Sequence, residues 1–152
     1  MNSEFTIVFA TSPSWFRTIR QLILTSSTQC GFDARTAGQI AMAVDEALCN
    51  IHRHGYRGAF GIVTLHAKTT CETDPRIDIE IFDEAEQVDV LQIKSRNLDE
   101  VRPGGLGVHL IQTVMDEAIW AKRDAGGMCL TMSKTLKSNT EHPLTTESKM
   151  HD

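Results

Sequence analysis

Two different spacings of apolar residues divide the first third of the chain into a strand and two helices. In residues 4–10, Phe5, Ile7 and Phe9 alternate with other side chains, which predicts a strand. A helical period follows, with Ser14 as the expected N-cap and Gly31 as the expected end. A second helix is expected, with Asp33 as its N-cap and Gly55 as the residue that ends it. Its alanine-rich apolar stripe predicts close packing against a sheet: Ala37, Ile40, Ala41, Val44, Leu48 and Ile51.

The rest of the chain alternates between strand-like and helix-like patterns. Residues 59–67 and 76–82 predict two antiparallel strands, and residues 88–91 a short helical turn. A long polar loop over 94–103 precedes a helix at 105–117, a strand at 118–122, a hairpin turn at 124–127 and a last strand from 128 to 136. This order predicts an α+β two-layer sandwich, with a mixed, mostly antiparallel sheet and three helices on one face. Residues 1–137 would form this domain, and 138–152 a disordered tail.

Composition narrows the class of protein. A net charge of −5 argues against a nucleic-acid binder, which would need a basic face. No apolar run is long enough to span a membrane, and the N-terminus lacks the pattern of a signal peptide. The four cysteines form no C-x-x-C pair. We therefore expect a cytoplasmic protein that binds neither nucleic acid nor membrane.

The first candidate chemistry lies on the second predicted helix. Glu46 and Asn50 are four residues apart, so they share a helix face. A carboxylate there can accept a proton from a hydroxyl group, and a carboxamide oxygen can bind Mg²⁺ together with phosphates and water. Taken alone, Glu46 is better explained as a solvated surface glutamate, and Asn50 as an asparagine that bonds the backbone near a helix end.

Two further segments add a binding surface. The segment 102–107 places Arg102, Gly104, Gly105, Leu106 and Gly107 before a helix, whose unpaired N–H groups attract phosphate. It has no P-loop Lys-Ser/Thr ending, and a flexible hinge is the alternative. Asp83 ends a strand, where its carboxylate can accept a hydrogen bond from an exocyclic amine and so select adenine. A turn aspartate is the alternative.

Taken in order, these segments resemble the ATP-binding domain of the GHKL superfamily, whose fold is the Bergerat or histidine-kinase-like ATPase fold. The closest likeness is to stand-alone anti-sigma-factor serine kinases. It is carried by residues 43–56 and by residues 104–111 and 115–117, and it extends over residues 5–137.

The resemblance implies a role for each candidate residue. Glu46 would be the general base, Asn50 the Mg²⁺ ligand and Asp83 the adenine-reading carboxylate. The nucleotide-binding end of a lid would be formed by Arg102, Gly104, Gly105, Leu106 and Gly107. The protein would bind ATP and Mg²⁺, phosphorylate a serine on an anti-anti-sigma (STAS) partner, sequester a sigma factor, and form a homodimer. The likeness also suggests Cys129 for a position near adenine.

One motif departs from the family. Its first glycine box reads Asp-x-Gly-x-Gly, whereas this chain has Ala85 and Gln87 in place of the glycines, with Glu84 and Glu86 between. Alanine at a position that requires positive φ would be strained by about 1 kcal/mol or more, and acidic residues near phosphates would repel them. The alternative function is therefore a degenerate, non-catalytic module that only binds a partner. A detached sensor-kinase domain is a weaker third candidate, because no helical hairpin with a phosphoacceptor histidine precedes it.

Overall fold

In the computed structural model, residues 2–72, 74–93 and 106–137 are described. Five strands and three helices follow one another: β1 (Ser3–Ala10), α1 (Pro13–Cys30), α2 (Ala34–Asn50), β2 (Ile62–Thr70), β3 (Arg76–Asp83), α3 (Leu106–Val114), β4 (Glu117–Lys122) and β5 (Met128–Thr135). A π-helical turn (Ile51–Gly55) extends α2, and a 3₁₀ turn (Val90–Gln92) follows β3. The predicted tail at 138–152 lies outside the described residues.

The strands form one sheet in the order β1-β2-β3-β5-β4. Each of its four pairings is antiparallel. The predicted α+β sandwich is confirmed, but the sheet contains no parallel pair within the described residues, where a mixed sheet was expected. No helix in this part of the chain has the length and apolarity needed to cross a membrane.

The core lies between the sheet and the helices. Alternation places Ile77, Ile79 and Ile81 of β3 on the inner face, where all are fully buried. The apolar stripe of α2 covers that face through Ala37, Ile40, Val44 and Leu48. The alanines of α2 are buried, but the helix comes closest to α1 and α3 and not to a strand, so the expected close approach of α2 to the sheet is wrong.

Local hydrogen bonds explain where the elements begin and end. Asp33 caps α2 as expected, because its carboxylate accepts from the N–H groups of Arg35 and Thr36 at 2.9 and 3.0 Å. The predicted Ser14 cap of α1 is wrong. Ser12 is the N-cap and Pro13 the first helical residue, a position at which proline loses no helical hydrogen bond.

Two other predicted boundaries are also corrected. β2 begins at Ile62 rather than at Ala59, because residues 56–61 form a turn in which Ala59 N–H donates to the Tyr56 carbonyl at 2.9 Å. α3 ends at Val114 rather than at residue 117. Asp116 N–H instead donates to the Ser133 carbonyl at 2.9 Å, which carries the chain into β4.

Candidate functional site

The C-terminal end of α2 presents two of the predicted site residues. Glu46 and Asn50 are both half-buried, and Asn50 is the last α-helical residue before the π-helical turn. Both line a cavity of about 510 Å³ together with Arg53, Leu106 and Gly107. Since π-helical turns are frequent at functional sites, the widened backbone after Asn50 is consistent with a ligand-binding end of α2.

Gly107 brings the start of α3 against the predicted base. A Cβ at position 107 would overlap the carboxylate of Glu46 and lie only 2.6 Å from its Cγ. Any larger residue would therefore displace the Glu46 side chain. Glycine at this position leaves the space that the Glu46 side chain occupies, and it does so without a positive φ.

Asp83 is a buried carboxylate at the end of β3, with 6% of the residue exposed. Its Oδ1 accepts hydrogen bonds from Ala85 N–H at 2.9 Å and from Met128 N–H at 3.2 Å. Burial raises the pKa of Asp83 above the ordinary value, although these two hydrogen bonds and the charge of Arg123 partly oppose the shift. Both bonds go to Oδ1, so within the described residues Oδ2 remains available to a ligand.

A second cavity, of about 350 Å³, lies directly over Asp83. Its volume is within the range typical of small-molecule sites. Asn50 and Gly107 line this cavity as well as the larger one, so the two cavities adjoin. The walls around Asp83 are mainly apolar and include Ala47, Ile51, Ile111, Trp120, Met128 and Leu130. A mainly apolar cavity of this volume with the buried Asp83 carboxylate in its wall suits a purine base.

The predicted site residues thus fall into two groups. The structure brings Glu46, Asn50, Asp83, Leu106 and Gly107 around the two adjoining cavities. Arg102, Gly104 and Gly105 lie outside the described residues.

The altered glycine box adopts a path that does not need glycine. Ala85 is buried and does not have positive φ, since Arg57 at 54° is the one non-glycine residue with positive φ in the described ranges. The strain expected at Ala85 is therefore absent. Glu86 pairs with Arg57 at 2.9 Å, and both side chains are largely exposed, so part of the expected added negative charge is neutralised at the surface.

Three residues near this box were not recognised from the sequence. The Tyr56 hydroxyl accepts from Glu84 N–H at 2.8 Å. Gln87 Nε2 donates to the carbonyls of Arg123 and Gly127 at 2.7 and 3.1 Å. Arg123 Nη1 in turn donates to the Asp83 carbonyl at 2.7 Å. The sequence signal for this contact region is the Gly126-Gly127 pair, which by itself predicts only a hairpin turn.

The suggested position of Cys129 near the base is wrong. Cys129 pairs with Phe82 in the sheet, and both side chains point away from the helices. Met128 and Leu130 point into the cavity instead. Strand alternation therefore excludes Cys129 from the site.

The residues present fit a magnesium ion that is held mainly by a phosphate ligand. No group of three or more His, Cys, Asp or Glu side chains suited to a metal occurs in residues 2–72, 74–93 and 106–137. Mg²⁺ usually keeps several waters and takes one or two protein oxygens plus substrate phosphates. The half-buried carboxamide of Asn50, which faces both cavities, can supply such an oxygen.

Comparisons with known proteins show the family of the chain. Residues 9–134 match the family of histidine kinase-like ATPase domains. The chain is similar to the serine-protein kinase RsbW of Staphylococcus epidermidis, with 34% identity over 106 residues. It is also similar to RsbW of Staphylococcus aureus (strain JH9), with 31% identity over 106 residues. Both alignments cover 63% of this chain, which spans only 64% of each relative.

A solved structure shares the fold. It contains the RsbU and RsbW domains of Rv1364c from Mycobacterium tuberculosis, and it superposes with a TM-score of 0.57 at 19% identity. The match covers 86% of this chain and 31% of that chain. At this identity the similarity establishes the fold alone.

Proposed function

The chain belongs to the family of histidine kinase-like ATPase domains, and we propose that it is an anti-sigma factor that uses ATP to phosphorylate a serine on a STAS-domain partner. The observation that carries this proposal is the pair of adjoining cavities. One has an apolar wall and the Asp83 carboxylate, and the other contains Glu46 and Asn50.

The base would occupy the smaller cavity. Adenine has an exocyclic amine that can donate to Oδ2 of Asp83, while the apolar side chains of Trp120, Met128 and Leu130 cover the ring. The burial that raises the pKa of Asp83 also excludes water from this hydrogen bond, which strengthens it. Adenine is thus preferred to a base with a carbonyl oxygen at the same position.

The phosphates would extend toward Asn50 and the start of α3. The first N–H groups of a helix lack intrahelical partners, and the helix dipole favours an anion there. Leu106 and Gly107 at the start of α3 both line the larger cavity. A magnesium ion bound by Asn50 would supply positive charge to the phosphates.

In this proposal Glu46 acts as the general base. The transfer forms a bond between the serine oxygen and the γ-phosphorus, breaks the bond to the β-phosphate oxygen, and releases ADP. The serine proton passes to the Glu46 carboxylate, which Gly107 leaves room for beside α3. Glu46→Gln keeps the shape of the side chain but cannot accept this proton.

Protein serine as the phosphate acceptor is supported by the relatives, which are named serine-protein kinases. Sequestration of a sigma factor and homodimer formation complete the proposal, and they follow from the family resemblance. The proposed cytoplasmic location follows from the composition of the chain. The non-catalytic alternative relied on the altered glycine box. The absence of strain at Ala85 removes one of its two supports.

Two measurements test the proposal. A thermal-shift titration with Mg-ATP should raise the unfolding midpoint, because a ligand that binds the folded state stabilises it. Transfer from labelled ATP to STAS-domain proteins of the source organism should then label serine, and Glu46→Gln should abolish transfer while it retains the thermal shift. No shift at millimolar Mg-ATP contradicts the proposal. A shift without transfer to any STAS protein favours the non-catalytic binding module.

A further inference from the structure

The side chain of Gln87 joins two separate segments beside the base cavity. Its carboxamide nitrogen carries two hydrogens and donates one to the Arg123 carbonyl at 2.7 Å and the other to the Gly127 carbonyl at 3.1 Å. Both carbonyls belong to the β4–β5 hairpin, which is itself closed by a bond from Arg123 N–H to the Gly127 carbonyl at 3.1 Å. Gln87 therefore fixes segment 83–87 against this hairpin.

The same two segments are also joined at Asp83. The guanidinium of Arg123 donates to the Asp83 carbonyl at 2.7 Å and lies 5.4 Å from the centre of the Phe82 ring. Gly127 approaches so closely that a Cβ there would overlap the Asp83 carbonyl oxygen. Since Gly127 also has a φ of 75°, only glycine fits easily.

The position of the hairpin determines how the Asp83 carboxylate is held. Met128 follows Gly127 directly, and its N–H donates to Asp83 Oδ1 at 3.2 Å. A hairpin that moved away would withdraw this donor and leave Oδ1 held by the Ala85 N–H alone, at 2.9 Å. The bonds from Gln87 thus help to keep both donors on Oδ1, which leaves Oδ2 available to the ligand.

We propose that Gln87 is a positioning residue for base selection, which holds the Asp83 carboxylate in the orientation that distinguishes an exocyclic amine from a carbonyl oxygen. This inference rests on the proposed function. Glycine, which the family's box has at this position, has no side chain that can reach the hairpin. In this chain the departure from the box is a gain of two hydrogen bonds.

The test compares ATP with inosine triphosphate, which lacks the exocyclic amine. Dissociation constants of both Mg-nucleotides are measured by calorimetry for the wild type, Gln87→Ala and Gln87→Gly. We expect ATP binding to weaken about tenfold in both variants, as the loss of one or two hydrogen bonds would give. The dissociation constant of inosine triphosphate should change much less. The ratio of the dissociation constant of inosine triphosphate to that of ATP therefore falls.

Controls separate base selection from general destabilisation. Gln21→Ala removes a glutamine that makes an exposed bond to Thr25 at 3.4 Å on α1, and it should leave the ratio unchanged. Gln87→Glu keeps the side-chain shape and loses both donors, so it gives the same test if the smaller variants fold poorly. Arg123→Met removes the donor to the Asp83 carbonyl, and it should also lower the ratio of the dissociation constant of inosine triphosphate to that of ATP.

Two outcomes overturn the inference in distinguishable ways. If the wild type prefers ATP and Gln87→Gly binds it equally well or more tightly, Gln87 does not position Asp83, although the proposed function stands. If the wild type binds neither nucleotide, the proposed function fails and the inference fails with it.

Discussion

Replacing Asp83 by asparagine should reduce the preference of the protein for ATP and raise its melting temperature. Asparagine has the same shape, and its Oδ1 can still accept from the N–H groups of Ala85 and Met128. Its amide nitrogen then takes the place of Oδ2, so a donor faces the exocyclic amine of adenine. The same donor suits the carbonyl oxygen of inosine triphosphate.

The expected magnitude follows from the hydrogen bond that is lost. A hydrogen bond to a charged group contributes about 1.5–3 kcal/mol, which corresponds to a loss of about 10- to 150-fold in ATP affinity. Binding of inosine triphosphate should become tighter. The ratio of its dissociation constant to that of ATP should therefore fall by at least the same factor.

The unliganded variant should also unfold at a higher temperature at neutral pH. Burial raises the pKa of Asp83, so the folded protein holds this proton to a higher pH than the unfolded chain does. The stability that Asp83 contributes therefore falls as pH rises from the ordinary aspartate pKa through the raised one. Above that range the charged carboxylate destabilises the fold, and asparagine removes this penalty.

Calorimetry with both nucleotides and a thermal melt without ligand are the assays. Asp78→Asn is the matched control, because Asp78 lies on the same strand but on the outer face, where Arg76 pairs with it at 2.7 Å. The control should keep the preference for ATP. An Asp83→Asn protein that still prefers ATP would refute base reading by Asp83, and one that melts at a lower temperature would refute the argument from burial.

Three further predictions concern other parts of the fold. Gly107→Ala should reduce phosphotransfer on the order of 100-fold by displacing Glu46, while Mg-ATP still raises the melting midpoint; unchanged turnover would contradict the close approach. Iodoacetamide should alkylate Cys71 well before Cys30 in peptide mapping, because Cys30 is buried and burial raises the pKa of its thiol to about 11. Cys71 is only half-buried, and the effect of that burial on its thiol pKa is outweighed by hydrogen bonds with Cys30 and Thr69, which lower it. Equal alkylation rates would contradict this. Hydrogen bonds to the carboxylates of Glu80 and Glu4 on the neighbouring strands raise the pKa of His66. The free energy of unfolding of the wild type in urea should therefore fall as pH rises through the raised pKa, and His66→Gln should remove this fall. Parallel pH profiles of the two proteins would contradict the prediction.

The strongly periodic elements could be predicted from the sequence. The Asp33 cap, the alanine stripe of α2 and the alternating isoleucines of β3 each carry a local signal that the tertiary structure retains. The start of β2 could not be predicted, because Phe60 continues the apolar pattern while the turn at residues 56–61 ends it. The turn is held by the bond from Ala59 N–H to the Tyr56 carbonyl and by the packing of Gly61 on the Tyr56 ring, which no apolar pattern reports.

The candidate site was predictable only in part. Glu46, Asn50 and Asp83 were found from residue spacing and from a family resemblance, and the fold places them around adjoining cavities. Gln87 was seen only as a missing glycine, because its partners are backbone carbonyls of a hairpin more than thirty residues later. No spacing rule in the sequence reports such contacts. The misplacement of Cys129 was avoidable, since alternation with Met128 and Leu130 already directs it outward.

The central claim is that an adenine nucleotide binds with its base over Asp83 and its phosphates toward Asn50. The most direct test is a crystal structure of the protein with magnesium and a non-hydrolysable ATP analogue. We expect the adenine amine within hydrogen-bonding distance of Asp83 Oδ2 and the metal bound to the Asn50 carboxamide oxygen. An analogue bound elsewhere, or both cavities empty at saturating concentration, would contradict it.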